Sequence, residues 1–101
     1  MSHSLPNYLR GYRRRAGLSQ TEVAYLVGCK DGSKVCRHER GTREPSLRIA
    51  IAYEVISGQP IRELFRGVYE EVERSATRRA RILAQRKARK ALTSPKPRTR
   101  E

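Results

Sequence analysis

The sequence predicts an all-α fold of five short helices followed by a basic, partly helical extension. Three observations predict it. No segment alternates apolar and polar residues as a half-buried strand does. Apolar residues recur instead at three- and four-residue spacings, between residues suited to start and stop helices. The charge is also unevenly spread. Residues 1–60 carry ten basic and five acidic side chains, residues 61–73 two against four, and residues 74–101 eleven against one. The larger apolar residues of that last segment are only Ile82, Leu83 and Leu92, too few to offset the entropy of ordering it in a core. A compact domain over residues 1–73 and a basic extension over 74–101 are therefore expected.

The helices follow in order. Leu5, Leu9, Tyr12 and Ala16 form the first stripe, with Pro6 suited to a first turn and Gly17 to a stop. Ser19-Gln20-Thr21-Glu22 is a capping box, in which the Ser hydroxyl and the Glu carboxylate satisfy free amides at a helix start. Val23, Ala24 and Val27 make the second helix's apolar stripe, ending at Gly28. Cys29 to Gly32 reads as a turn, with Asp31 able to cap a third helix that Gly41 closes. Pro45-Ser46 opens a fourth, with Leu47, Ala50, Ile51 and Val55 as its stripe and Gly58 as its end. Pro60 opens a fifth, with Ile61, Leu64, Phe65, Val68 and Val72 on one face.

Composition excludes several classes. With 101 residues, 37% hydrophobic, no Trp and one Phe, the chain cannot build a large core. No apolar run approaches the ~20 residues that span a bilayer. Met1 to Pro6 lacks the basic and apolar regions of a signal peptide, and two Cys make no disulfide framework. A cytoplasmic, nucleoid-associated setting is the expectation. The net charge of +13 predicts an anionic partner.

Two of the predicted helices are joined by a tight Gly-containing turn, and the second is basic on its outer face. That is the layout of a helix-turn-helix, whose second helix fits the major groove of B-DNA while the first crosses the phosphate backbone. The stretch from Leu9 to Phe65 resembles the DNA-binding domain of the XRE-type, phage lambda repressor/Cro-like regulators. The matching elements are Gly17-Leu18-Ser19-Gln20, Glu22, Ala24, Gly28, Val35-x-Arg37-x-Glu39-Arg40-Gly41, Pro45-Ser46-Leu47 and Glu63-Leu64-Phe65. The resemblance implies a five-helix lambda-repressor-like domain. It also implies sequence-specific binding of double-stranded DNA, usually as a homodimer on a palindromic operator.

The resemblance carries over residue by residue. Ser33, Lys34 and Arg37 match base-reading positions; solvated polar residues or phosphate contacts are the plainer reading. Gln20, Arg40, Thr42 and Arg43 match phosphate-contacting positions, and Gln20 also one that braces the recognition helix. Arg13 and Glu39 match an inward salt bridge, read here as a fold-stabilising ion pair. The turn is one residue longer than the family's, with the extra residue within Cys29–Asp31. That places Gly32 where relatives often carry a base-reading side chain. Glu54 stands where relatives are small and apolar, either turned to solvent or paired with a basic residue.

Cys29, Cys36, His38 and Asp31 do not have the spacing of a structural zinc site, so no metal is expected. Val35 should anchor the recognition helix in the core, and His38 should pack where relatives are apolar or aromatic. No nucleophile elbow or phosphate-binding Gly loop is present, so neither an enzyme nor a cofactor is expected. Nor is a small-molecule effector evident.

Ala76, Ala80, Ala84 and Ala88 recur at four-residue spacing, so the fifth helix could continue past residue 73. The extension could follow DNA phosphates, serve as a solubilising tail, or meet an anionic membrane or acidic protein. DNA is preferred, and a membrane is disfavoured by the lack of Trp or Phe. Residues 93–101, with Pro95 and Pro97, are expected to be disordered. Dimerisation would use Ile61, Phe65, Val68, Tyr69 and Val72, unless these complete the core, which is the preferred reading for Ile61, Leu64 and Phe65. Function is read as a transcriptional regulator, most simply a repressor. The rivals are an antitoxin or partner-binding autoregulator and a non-specific nucleic-acid binder dominated by its tail.

Overall fold

A computed structural model of the chain describes residues 7–93. Six helices follow one another: α1 Leu9–Arg15, α2 Gln20–Val27, α3 Gly32–Arg40, α4 Leu47–Ser57, α5 Ile61–Leu64 and α6 Arg66–Thr93. No strand occurs among the described residues. The chain divides into two units, one ending at Glu70 and the other beginning at Glu71.

In the first unit the helix ends are fixed by the residues that the sequence marks. The Ser19 hydroxyl accepts from the Glu22 amide at 3.0 Å, and the Glu22 carboxylate accepts from the Ser19 amide at 2.8 Å. Asp31 accepts from the Ser33 amide at 2.9 Å, and Ser46 from the Ile49 amide at 3.3 Å. Gly28, Gly41 and Gly58 close α2, α3 and α4 in left-handed conformations. At Gly28 this conformation (φ 83°) turns the chain sharply from α2 into the connection to α3, a geometry that glycine adopts without strain.

The N-terminal boundary differs from expectation. Leu5 and Pro6 lie outside the described residues, and α1 begins at Leu9. Asn7 sets that start: its Oδ1 accepts from the Leu9 amide at 3.0 Å. Its Nδ2 donates to the His38 carbonyl at 3.0 Å, at the C-terminal end of α3. One side chain thus satisfies a free amide of α1 and a carbonyl of α3.

The core gathers Leu9, Val23, Ala24, Val27, Val35, Tyr53, Leu64 and Phe65. Val23, Ala24 and Val27 are the predicted α2 stripe, and Val35 is the predicted anchor of α3. The expected stripe of α4 is wrong in phase. Leu47, Ile51 and Val55 are 76%, 52% and 73% exposed, while Tyr53 is fully buried with Ile49, Ala52 and Ile56 packed beside it. The segment Leu47–Ile56 is apolar on nearly every side, so spacing alone does not fix the inward face. The polar group that needs a buried partner does. His38 is 3% exposed, and its Nδ1 shares a 2.7 Å hydrogen bond with the Tyr53 hydroxyl. Tyr53 also meets Phe65, with ring centroids 5.8 Å apart.

The fifth helix is also shorter than predicted. It stops after one turn, and Phe65 takes a non-helical conformation before α6 begins. The interruption lets the neighbours Leu64 and Phe65 both be buried. Glu54 is exposed, the first of the two placements expected of it. Its Oε1 accepts from the Ile61 amide at 3.1 Å and so caps α5.

α6 is continuous from Arg66 to Thr93 and carries the Ala76–Ala88 stripe. From Glu71 to Leu92 its side chains are exposed except Ser75, which is half-buried. The disorder expected of residues 93–101 falls on residues outside those described, apart from Thr93, which ends α6.

Removing one member of the buried His38–Tyr53 pair leaves the other without its partner. Tyr53→Phe should therefore cost about 1–3 kcal/mol in urea unfolding. The double variant His38→Leu/Tyr53→Phe, which removes both polar groups, should recover much of that loss. Equal stability of Tyr53→Phe and the parent chain would remove the pair's claim to set the α4 phase.

Candidate nucleic-acid interface

The geometry of α3 begins with how it is held. The Glu39 side chain is fully shielded from solvent, yet it is charged. Its Oε2 accepts from Nε of Arg13, and its Oε1 accepts from Nη2 of Arg13 at 3.2 Å. Gln20 Nε2 donates to the same Oε1 at 3.2 Å. Arg10 approaches it at 3.5 Å from the exposed side. Arg13 also donates to the Leu18 carbonyl at 3.1 Å. One carboxylate therefore ties α3 to both α1 and the start of α2. A doubly engaged guanidinium fits a carboxylate well, because its planar donors match the two oxygens.

The two helices of the turn meet closely at their N-terminal ends. A Cβ on Gly32 would lie 3.2 Å from backbone atoms of Gln20 and Thr21. Glycine lets α3 begin against the backbone of α2, where a side chain would push the two apart. Asp31 accordingly stands as the N-cap, and four residues, Gly28 to Asp31, connect the helices.

Bracing consumes the inner side of α3 and leaves the outer side free. Val35, His38 and Glu39 are buried; Ser33, Lys34, Arg37 and Arg40 are exposed. The Ser33 hydroxyl donates to Asp31 Oδ1 at 2.6 Å. The hydroxyl and amide of Ser33 hold the Asp31 carboxyl below its usual range. Thr42 is exposed, and its hydroxyl donates to the Arg37 carbonyl at 3.3 Å, so it finishes α3. Arg43 is exposed in the following loop.

A cleft of about 400 Å³ opens beside α3, with Lys30, Lys34, Arg43 and Ser46 among its walls. Lys34 and Arg43 thus share one surface with Lys30, which spacing alone did not single out, and with Glu44; three cations against one carboxylate leave it basic on balance. His38 forms part of the same wall. Burial pushes its pKa down, and the charges of Arg43 and Lys34 push it the same way. Of the residues matched to phosphate contact, Gln20 is half-buried and engaged with Glu39. Arg40, Thr42 and Arg43 lie outward, at and beyond the end of α3. No group of three or more His, Cys, Asp or Glu suited to a metal occurs among the described residues. Nor is any described helix long and apolar enough to cross a membrane.

Burial pushes the Glu39 carboxyl up, but the hydrogen bonds from Arg13 and Gln20 and the charge of Arg13 outweigh it and set it below the usual glutamate value. His38 is also shifted down. Both groups bind protons more readily in the unfolded chain, so stability falls as pH falls. The loss should begin as pH drops through about 6.5 for His38 and deepen below about 4.3 for Glu39. Urea midpoints at several pH values should show both stages, and His38→Leu/Tyr53→Phe should remove the upper one. Arg13→Leu leaves Glu39 buried without its main partner and should cost about 3–5 kcal/mol. Arg10→Ala, at the exposed edge, should cost no more than about 1 kcal/mol.

Residues 5–63 match the family model described as a helix-turn-helix domain, which is more than half of the chain. No curated protein matches the sequence at a significant level.

Proposed function

The chain belongs to the helix-turn-helix domain family, and on that premise we propose that it is a sequence-specific duplex DNA-binding regulator acting as a repressor. The observation that carries this reading is the division of α3. Its inner side is locked by Glu39 and Val35, while Ser33, Lys34 and Arg37 lie exposed on a helix of a size that enters a major groove. Arg37 is suited to guanine O6 and N7, which it can address with two parallel hydrogen bonds. Lys34 serves the same acceptors or a neighbouring phosphate. Arg40, Arg43 and Lys30 supply positive charge beside the reader, and Thr42 and Gln20 stand where the family meets the backbone. A repressor needs only to occupy its site.

The reading includes a homodimer on a palindromic operator. The nine residues of α3 span about 13 Å, so one copy faces about four base pairs at roughly 3.4 Å each. A second copy on the next turn of the duplex would double that length. Of the five residues that the sequence offered for dimer contact, Phe65 belongs to the core. Tyr69 and Val72 remain exposed.

The domain boundary near residue 73 belongs to the same proposal. Between Arg74 and Lys90 the helix carries eight Arg and Lys and no Asp or Glu. Such a stretch adds affinity through phosphates and counterion release, with little regard for sequence. A cytoplasmic, nucleoid-associated location follows from this reading.

Two measurements test it. Arg37→Ala should weaken binding to a duplex selected from a random pool by about 1–3 kcal/mol and leave binding to random duplex nearly unchanged. Equal loss on both would reassign Arg37 to the backbone. Replacing Arg78, Arg79, Arg81 and Arg86 together by Gln should reduce the slope of log affinity against log salt by up to about 3–4. An unchanged slope would make the basic helix a bystander.

A further inference from the structure

We propose that Asp31 is a specificity-determining residue of the reader, and that with Ser33 it selects cytosine at the base facing the start of α3. The inference rests on the DNA-binding reading above and adds to it a residue that otherwise serves only as a helix cap.

A serine hydroxyl has one proton to donate and two lone pairs. Ser33 donates that proton to Asp31 Oδ1 at 2.6 Å, so toward solvent it offers lone pairs only. Oδ1 receives the Ser33 amide as well, at 2.9 Å, while the cap uses Oδ2 for neither bond. Asp31 and Ser33 are both exposed. The residue between them is Gly32, which has no side chain and is pressed against the start of α2. The first side chains that this end of the reader presents are therefore a carboxylate and a hydroxyl acting as acceptors.

Acceptors match amino groups. In the major groove these are cytosine N4 and adenine N6. Adenine sets the N7 lone pair beside its amino group, which repels a carboxylate, whereas the neighbouring edge of cytosine carries only C–H. Guanine and thymine present acceptors there and are rejected by like polarity. One turn further along the same helix, Arg37 presents donors suited to guanine. The two ends of the reader thus ask for opposite polarity, which fixes its direction on the duplex.

The test is selection from a random duplex pool with the full chain and with Asp31→Ser. Serine keeps an N-cap, so the helix start survives; unfolding midpoints of both proteins check this. The parent should yield a motif in which cytosine is the preferred base at one position near the reader's start, ahead of adenine and favoured over guanine and thymine by at least roughly fivefold, the low end for a good polar base contact; adenine preferred there overturns the inference. Asp31→Ser should bring that position to within about twofold, because Ser33 regains a proton to donate, while the guanine assigned to Arg37 stays enriched. Ser33→Ala should weaken the same position and no other. The same motif from parent and Asp31→Ser overturns the inference and leaves the DNA-binding reading intact. So does a uniform gain in affinity with unchanged preference, which would make Asp31 only a repulsive charge near phosphates. A parent that selects no motif overturns the DNA-binding reading, and this inference with it.

Discussion

The buried carboxylate of Glu39 is the constraint on which the rest of the domain depends. A charge fully withdrawn from water costs several kcal/mol unless it is paired and hydrogen-bonded. Here the pairing comes from Arg13 on α1 and the further hydrogen bond from Gln20 on α2, so satisfying one group dictates where three helices stand. Moving α3 outward by a fraction of a helix diameter would strand the carboxylate. Hydrophobic contacts are more forgiving of such slippage, because they have no direction. The ion pair therefore contributes orientation more than net stability.

The second buried polar pair acts on the other side of α3. His38 and Tyr53 join α3 to α4 as Glu39 joins it to α1 and α2. Asn7 adds a third tie, from the chain's entry to the carbonyl end of α3. The helix is thus held from its inner side and from its end, and the small apolar core fills the space between these ties. In a domain with few large apolar residues, directional bonds supply the geometric definition that packing alone would leave loose.

Much of this was legible in the sequence. Ser19 with Glu22, Asp31, Ser46 and the glycines at 28, 41 and 58 marked helix ends through local chemistry, which depends on a few neighbouring residues. The outer face of α3 and the Arg13–Glu39 pairing came from ordered motifs. The missing parts are non-local. The phase of α4 escaped because Leu47–Ile56 is apolar almost all round, and the deciding hydrogen bond comes from a residue fifteen positions earlier. Glu54 as a cap for α5, and Asn7 reaching 31 positions to His38, depend on tertiary placement that no spacing rule encodes. The break at Phe65 reflects the burial of two adjacent side chains, which a continuous stripe cannot describe. The need for glycine at position 32 appears only when α2 is set against it.

The two-sided construction of α3 also bears on how such a protein could change its target. The side chains of Arg37 and Lys34 take no part in the bonds described above that hold α3, and stability effects at independent sites add with little coupling. On the proposed reading, substitutions there alter which site is recognised while the mount stays intact. Asp31 is the exception, since it caps the helix and, in the proposal above, also faces a base. Variation should therefore run easily along the later part of α3 and meet resistance at its start, where a new specificity must also be a good helix cap.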